Sequence, residues 1–192
     1  MRKLAVTEFL TLDGVMEDPG GAEGFAHGGW SFRFNDPEGM RFKLDELMAF
    51  DALLLGRRTY EGFAAAWPGR TDEAGFAEKM NGMKKHVVSS TVTDPSWQNS
   101  ELLAGGDAVP GAVAELKARE GGGILVAGSR SLVPTLAAHD LVDEYRLMLH
   151  PLVLGAGKRL FDGIADPFTL RLAHSRTLDG GSLILIYEPV RD

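Results

Sequence analysis

The sequence predicts an α/β fold in three layers, a mostly parallel central sheet between helices, closed by a C-terminal antiparallel hairpin. Three observations predict it. Strand-like apolar runs alternate with segments of helical period through the middle of the chain, the pattern of parallel strands joined by crossover helices. The runs DALLLG and ILVAG are short, apolar and end in glycine, as buried strands entering a turn do. The last two strand-like stretches flank Asp179-Gly180-Gly181, a hairpin signal.

Taken in order, RKLAVTEFL (2–10) mixes β-branched, aromatic and polar residues and reads as the first strand, stopped by Asp13-Gly14. The stretch through Trp30 is too rich in glycine for a regular element, and loops of that length in a compact domain are lids, binding loops or disordered. From Pro37 to Phe50 the apolar residues Met40, Leu44, Leu47 and Met48 recur at helical spacing, with Pro37 suited to a first helical position. DALLLG follows as a strand, RRTYEGFAAAW as a helix stopped by Pro68-Gly69, and TDEAGFAEKMNGMK as a short helix capped by Thr71 or Asp72. HVVSS reads as a strand, and the segment PSWQNSELLAGGD shows no period and reads as a loop. Val109–Glu120 is helical up to the Gly121–Gly123 triplet, ILVAG is a strand, and Ser131 to His139 a helix. DEYRLMLHPLVLG, FTLRLAHSRTL and SLILIYEPV complete the strands. No repeat or linker interrupts the pattern, so residues 1–192 read as one domain.

Composition narrows the function. A chain of 192 residues with 44% hydrophobic and 24% charged residues has enough apolar material for a core. Its net charge of -7 argues against a nucleic-acid partner, because phosphate-backbone affinity needs a basic face. With no cysteine there are no disulfides, no thiolate chemistry and no cysteine-held metal. The N-terminus is basic and then apolar, but Glu8 and Asp13 interrupt it, which suits a strand better than a signal peptide. No uncharged run reaches membrane-spanning length, and the expectation is a soluble, cytoplasmic protein without membrane contact.

Three predicted strands end in small or polar turns on what should be one sheet edge: Gly56, Ser89 and Gly128. Ligands of open α/β sheets gather at the carboxyl ends of strands, where helix N-termini present unpaired N–H groups. Gly56 permits close backbone approach, and Arg57, Arg58 and Thr59 put two cations and a hydroxyl at a positive helix end, a site suited to phosphate. Two solvated surface arginines would look the same. Gly128-Ser129-Arg130-Ser131 repeats the arrangement, and Ser89-Ser90-Thr91 could hold a ribose phosphate or be plain turn residues. Neither glycine turn matches the GxGxxG or GxxxxGK[ST] pattern.

At these residues a family becomes visible. LLLGRRTYEGFAAAWP resembles the segment of dihydrofolate reductases that opens a helix on the cofactor. LVAGSRSLVPTLAAHDLVDEYRLMLHPLVLGAGKRLF is similar to the riboflavin-pathway pyrimidine reductases of the RibD C-terminal domain family, and TLDGVMEDPGG to the start of its stand-alone members. The resemblance implies a dihydrofolate reductase-like fold, NADPH as cofactor, a small nitrogen heterocycle as substrate and a homodimer with the strand around Tyr145–Leu149 near its interface. It implies that Gly56, Arg57, Arg58 and Thr59 face the adenosine phosphates, with Ser89 and Ser90 beside the ribose 2′-phosphate. Gly128, Ser129, Arg130, Ser131 and Leu132 would hold the diphosphate. Asp13 and Gly14, with Leu154, Gly155, Ala156 and Gly157, would lie near the nicotinamide and substrate. Arginine at the phosphate site favours NADPH over NADH.

Two departures bear on chemistry. The glycine pair usual in the diphosphate turn is Gly128-Ser129 here, and the helix carboxylate of dihydrofolate reductases has its nearest counterparts in Glu38 and Asp36. A dihydrofolate or pterin reductase and a non-catalytic nucleotide-binding member are therefore the alternatives to a pyrimidine-type reductase. Reduction of a carbonyl or imine also needs a proton, for which Asp13 and Glu38 are the candidates, with Asp45 and Glu46 farther along the helix and an ordered water as the other source. Asp45 and Glu46, being adjacent, diverge by about 100° on a helix and form no dyad. The five histidines lack metal-ligand spacing, so no metal is expected. His150 before Pro151 is a pocket or strand-surface candidate, and Trp30, Phe63 and Trp67 are an aromatic wall or core.

Overall fold

The computed structural model describes residues 1–191. Its centre is an eight-stranded sheet built from β1 (Leu4–Thr11), β2 (Phe50–Gly56), β3 (Lys84–Ser89), β4 (Ser100–Ala104), β5 (Gly123–Ala127), β6 (Glu144–His150), β7 (Leu170–Thr177) and β8 (Leu183–Pro189). The strand order is β4-β3-β2-β5-β1-β6-β8-β7. The six strands from β4 to β6 are parallel, and β8 and β7 are antiparallel to their neighbours. The fold class is the one the sequence predicts.

Five helices cover the sheet: α1 (Pro37–Ala49), α2 (Arg57–Ala66), α3 (Phe76–Gly82), α4 (Val109–Ala118) and α5 (Val133–Ala138). Strand alternation sorts them into layers. Leu53, Leu55 and Leu125 pack with Leu47, Tyr60 and Met80 of α1, α2 and α3. Leu54, Ile124 and Val126 turn the other way and pack with Val113, Leu116 and Leu136 of α4 and α5. Leu54, Ile124 and Val126 are fully buried, each worth about 1.5–3 kcal/mol of transfer free energy.

The element boundaries carry several corrections. PSWQNSELLAGGD contains β4, a parallel edge strand beside β3. Of its five residues only Leu103 is buried, so it has no alternation to betray it. The helix expected from Ser131 starts at Val133, because Ser129 to Leu132 form a tight turn in which the Leu132 N–H donates to Ser129 O. The helix expected over 71–84 is confined to Phe76–Gly82, although Asp72 does cap it, accepting from Phe76 N and Ala77 N. The strand read through Pro151 ends at His150, since proline has no N–H to continue the ladder.

Helix α1 departs most from its pattern. Met40 and Met48, assigned to the apolar stripe, are 57% and 45% exposed, whereas Gly39, Glu46 and Leu47 are buried. The inward face accepts Glu46 because Lys43 Nζ and Arg146 Nε bind its carboxylate and the Thr7 hydroxyl donates to it at 2.7 Å. Asp45 points outward and pairs with Arg41, so the predicted divergence of the two acids is real.

Candidate active site

Strands β3, β2 and β5 are parallel neighbours, with Gly56 opposite Val88 and Leu54 opposite Val126. Their carboxyl-terminal turns at Ser89, Gly56 and Gly128 therefore stand side by side on one edge. The turns after β2 and β5 are laced together: Gly56 N donates to Ser129 Oγ at 2.7 Å, and Ser129 N to Thr59 Oγ1 at 2.9 Å. Gly128 and Ser129 both take positive φ, 60° and 65°. A Cβ on Gly128 would lie 2.7 Å from Thr59 Oγ1, so glycine is required by the packing of one turn on the other. Ser129 tolerates the left-handed region because its buried hydroxyl fastens both turns.

Among the residues assigned to phosphate binding, the structure thus separates connectors from free groups. Thr59 and Ser129 are connectors, and Leu132 is core, 5% exposed. The Ser89 hydroxyl accepts the N–H groups of Thr91 and Val92 and shapes its own turn, while Ser90 and Ser131 are exposed. Arg57 pairs with Glu61 at 3.0 Å and Arg130 with Asp162 at 3.3 Å. Arg58 is exposed beside them and makes no ion pair among the described residues. Helix α2 starts at Arg57 without a side-chain cap, which leaves its first N–H groups and positive dipole end facing outward.

On the other side of β5, residues 12–29 fold against the segment 154–160. Asp13 anchors this contact, its carboxylate receiving the Thr11 hydroxyl and the N–H groups of Leu154 and Gly155. Those bonds, Thr11 first, hold its pKa below the usual value against the opposing effect of burial. Val15 bridges to Arg159, and Glu17 binds Lys158. Gly14, Gly155 and Gly157 take φ of 80°, 76° and 119°, and a Cβ on Gly157 would stand 2.7 Å from Val15 Cγ1. The structure brings Asp13, Gly14, Leu154, Gly155 and Gly157 together, but it gives Asp13 the work of an ionised loop anchor rather than a proton donor. Glu38 is also displaced from that role. Half exposed at the start of α1, it pairs with Arg176 of β7. Asp36 caps α1, accepting from Glu38 N and Gly39 N. Trp30, Phe63 and Trp67 form no common wall: Trp30 is buried near His150, whereas Phe63 and Trp67 pack in the α2–α3 core.

Two buried groups lie at this edge, His150, which the sequence left as a pocket or strand-surface candidate, and Glu8, which sequence reasoning missed. His150 is 2% exposed, enclosed by Phe9, Trp30 and Phe34 at ring distances of 5.7, 5.5 and 5.1 Å, with Nδ1 3.0 Å from Ser182 Oγ. Burial pushes its pKa down to about 4, so the imidazole is neutral at physiological pH. Glu8 is 6% exposed, and its Oε1 has no hydrogen-bond partner among the described residues. Burial drives its pKa well above the usual value; Lys43 opposes the shift, while Glu46 and Glu23 reinforce it. The available signal was an acid inside an otherwise apolar strand.

The architecture is that of a dihydrofolate reductase-like α/β protein with its ligand-suited turns on one sheet edge. The sequence profile of the RibD C-terminal domain matches residues 2–184, and the chain belongs to that family, a family of reductases. It is similar to the uncharacterized protein YyaP of Bacillus subtilis, 29% identical over 97% of this chain and 94% of that protein. A putative riboflavin biosynthesis protein from Shewanella sp. PV-4 superposes with a TM-score of 0.74 at 20% identity, covering 98% of this chain and 99% of the other. The Thermotoga maritima diaminohydroxyphosphoribosylaminopyrimidine deaminase/5-amino-6-(5-phosphoribosylamino)uracil reductase superposes with a TM-score of 0.63 at 19% identity, over 98% of this chain and 57% of that one. At such identities the superpositions speak for the fold. Among the described residues no helix is long and apolar enough to cross a membrane.

Proposed function

We propose that this protein is an NADPH-dependent reductase that acts on a C=N or C=O group of a small nitrogen heterocycle, in the manner of 5-amino-6-(5-phosphoribosylamino)uracil reductases. The observation that carries this reading is the alignment of three strand-end turns, at Gly56, Ser89 and Gly128, on one edge. A dinucleotide needs anion-binding groups in such a row, and the uncapped start of α2 with the unpaired Arg58 supplies them. The residues fit the cofactor on a second count: Glu8 Oε1, a buried polar atom without a partner, sits where β1 outruns β5. The bound dihydronicotinamide supplies a hydride. The chain supplies the rest. Arg58 and the α2 N–H groups bind anionic oxygens, and the 12–29 and 154–160 segments close one side against water.

Neither acid expected at the start of α1 is an unpaired carboxylate in the cleft, which favours a heterocycle other than folate. The proposed homodimer, expected near the strand around Tyr145–Leu149 and its neighbours, would use the β8–β7 side of that strand, because β6 itself lies inside the sheet between β1 and β8. There β7 is exposed over nearly its whole length, and Leu172 and Phe168 are 47% and 39% exposed. A monomer in sedimentation at micromolar concentration would reject that part.

The test of the main reading is titration with NADPH, followed by fluorescence and melting temperature, since a ligand that binds only the folded state must stabilise it. No response at millimolar NADPH removes the reading. Arg58→Ala is expected to weaken NADPH about tenfold or more and NADH little, with Arg57→Ala milder because Glu61 already engages Arg57. Equal losses for both nucleotides would show that Arg58 does not read the 2′-phosphate.

A further inference from the structure

The pairing of β1 with β5 stops at Thr7 opposite Ala127, whereas its pairing with β6 continues to Thr11 opposite His150. Glu8 is therefore the first β1 residue with no strand beside it on the β5 side, and in place of one it meets the Gly128 turn, whose N–H approaches its carboxyl group. Helix α1, which β1 reaches through the 12–29 segment, lies on one face of the sheet and α5, which follows β5, on the other, the switch-point arrangement at which ligands of open α/β sheets bind. Glu8 is thus a buried acid with one oxygen unpartnered among the described residues, at that switch point and next to a turn expected to hold the dinucleotide.

Resting on the reductase reading, we propose that Glu8 is a catalytic residue that stores the proton consumed in the reduction and releases it as the neighbouring nicotinamide becomes cationic. Glu8 gives its proton to the nitrogen or oxygen of the substrate's C=N or C=O group while the hydride, carrying two electrons, arrives at the carbon. The Oε–H bond, the substrate's π bond and the hydride donor's C–H bond would break, and the N–H or O–H bond and the substrate's C–H bond would form. Glu8 would remain as a carboxylate, stabilised by the positive charge of an oxidised ring beside it, and solvent would reprotonate it after product release. The charged groups around it fit a neutral resting acid. Lys43 is the cation whose charge acts most on Glu8 among the described residues, but its Nζ is already bound to Glu46 and Thr7. Glu46 from α1 and Glu23 from the 12–29 segment disfavour a second anion. The approach of the cationic ring reverses that balance.

The experiment is the affinity of the intact protein for NADP+ and for NADPH between about pH 6 and 9, read as their ratio. The 2′-phosphate, which itself titrates near pH 6, is common to both ligands and cancels in that ratio. In the wild type the ratio should shift toward NADP+ by up to about tenfold per pH unit while Glu8 is protonated in the free protein. Glu8→Gln, the neutral isostere, should abolish the slope, and Glu8→Asp should keep one. A flat ratio in the wild type, or a slope that survives in Glu8→Gln, overturns the role of Glu8 and leaves the reductase reading standing. Failure of the wild type to bind either nucleotide removes that reading and the role of Glu8 with it.

Discussion

Glu46 and Glu8 are carboxyl groups buried near the middle of one sheet, and their surroundings could hardly differ more. Under α1, Glu46 has Lys43, Arg146 and Thr7 on its two oxygens, and their combined pull outweighs burial and holds its pKa below the usual value. Arg146 extends the network to Glu144, and Glu144 to Lys3. At the seam between β1 and β5, Glu8 keeps an oxygen with no partner. A buried charge that is fully compensated holds two layers in register. A buried acid left uncompensated stores free energy that only a ligand or a proton can release.

The contrast can be broken first at Glu46. Glu46→Ala strands Lys43 and part of Arg146 in a poorly solvated layer and should cost about 3–5 kcal/mol in urea unfolding. A loss below about 1 kcal/mol would mean that the network is solvated and the contrast with Glu8 false.

His150 sharpens the comparison with a base. Its folded pKa of about 4 lies below the ordinary histidine value of 6.5, so on acidification the unfolded chain takes up the proton first. Stability from this site is complete above pH 6.5 and declines as pH falls toward 4, by roughly 3 kcal/mol at most. His150→Phe should flatten that part of the pH–stability curve; an unchanged curve would place the loss elsewhere.

The cover beside the seam is probed by glycine. Gly157→Ala meets Val15 Cγ1 at 2.7 Å with φ at 119° and should cost about 1–3 kcal/mol. Gly155→Ala has open space around it and only φ of 76° to bear, so its cost should stay near 1 kcal/mol. Equal costs for both in thermal unfolding would deny that the 12–29 segment packs on Gly157.

The smallest effect is expected at Glu8 itself. Because its folded pKa is raised, the unfolded chain ionises first as pH rises, and stability falls from the carboxylate range up to the folded value. Glu8→Gln escapes that loss. It should match the wild type within about 1 kcal/mol near pH 5 and equal or exceed it near pH 8. A Glu8→Gln protein less stable than wild type at the higher pH would show that the carboxylate is compensated after all.

Local chemistry made much of this protein legible from its residues alone. The glycine-ended strands DALLLG and ILVAG, the arginines after Gly56, and the Asp179-Gly180-Gly181 hairpin are short-range signals, and sequence shows such signals directly. The placement of Gly56, Ser89 and Gly128 on one edge followed from strand and helix alternation. Tertiary structure alone decided what each polar side chain does. Ser129 became a bolt between two turns, Asp13 a loop anchor, Glu38 a partner of Arg176, and α1 turned Glu46 inward while two methionines faced water. Such roles depend on partners brought from far along the chain, Arg146 to Glu46 or Gly128 to Glu8. The cost of burying a charge is fixed by those partners and not by the residue's own neighbours in sequence.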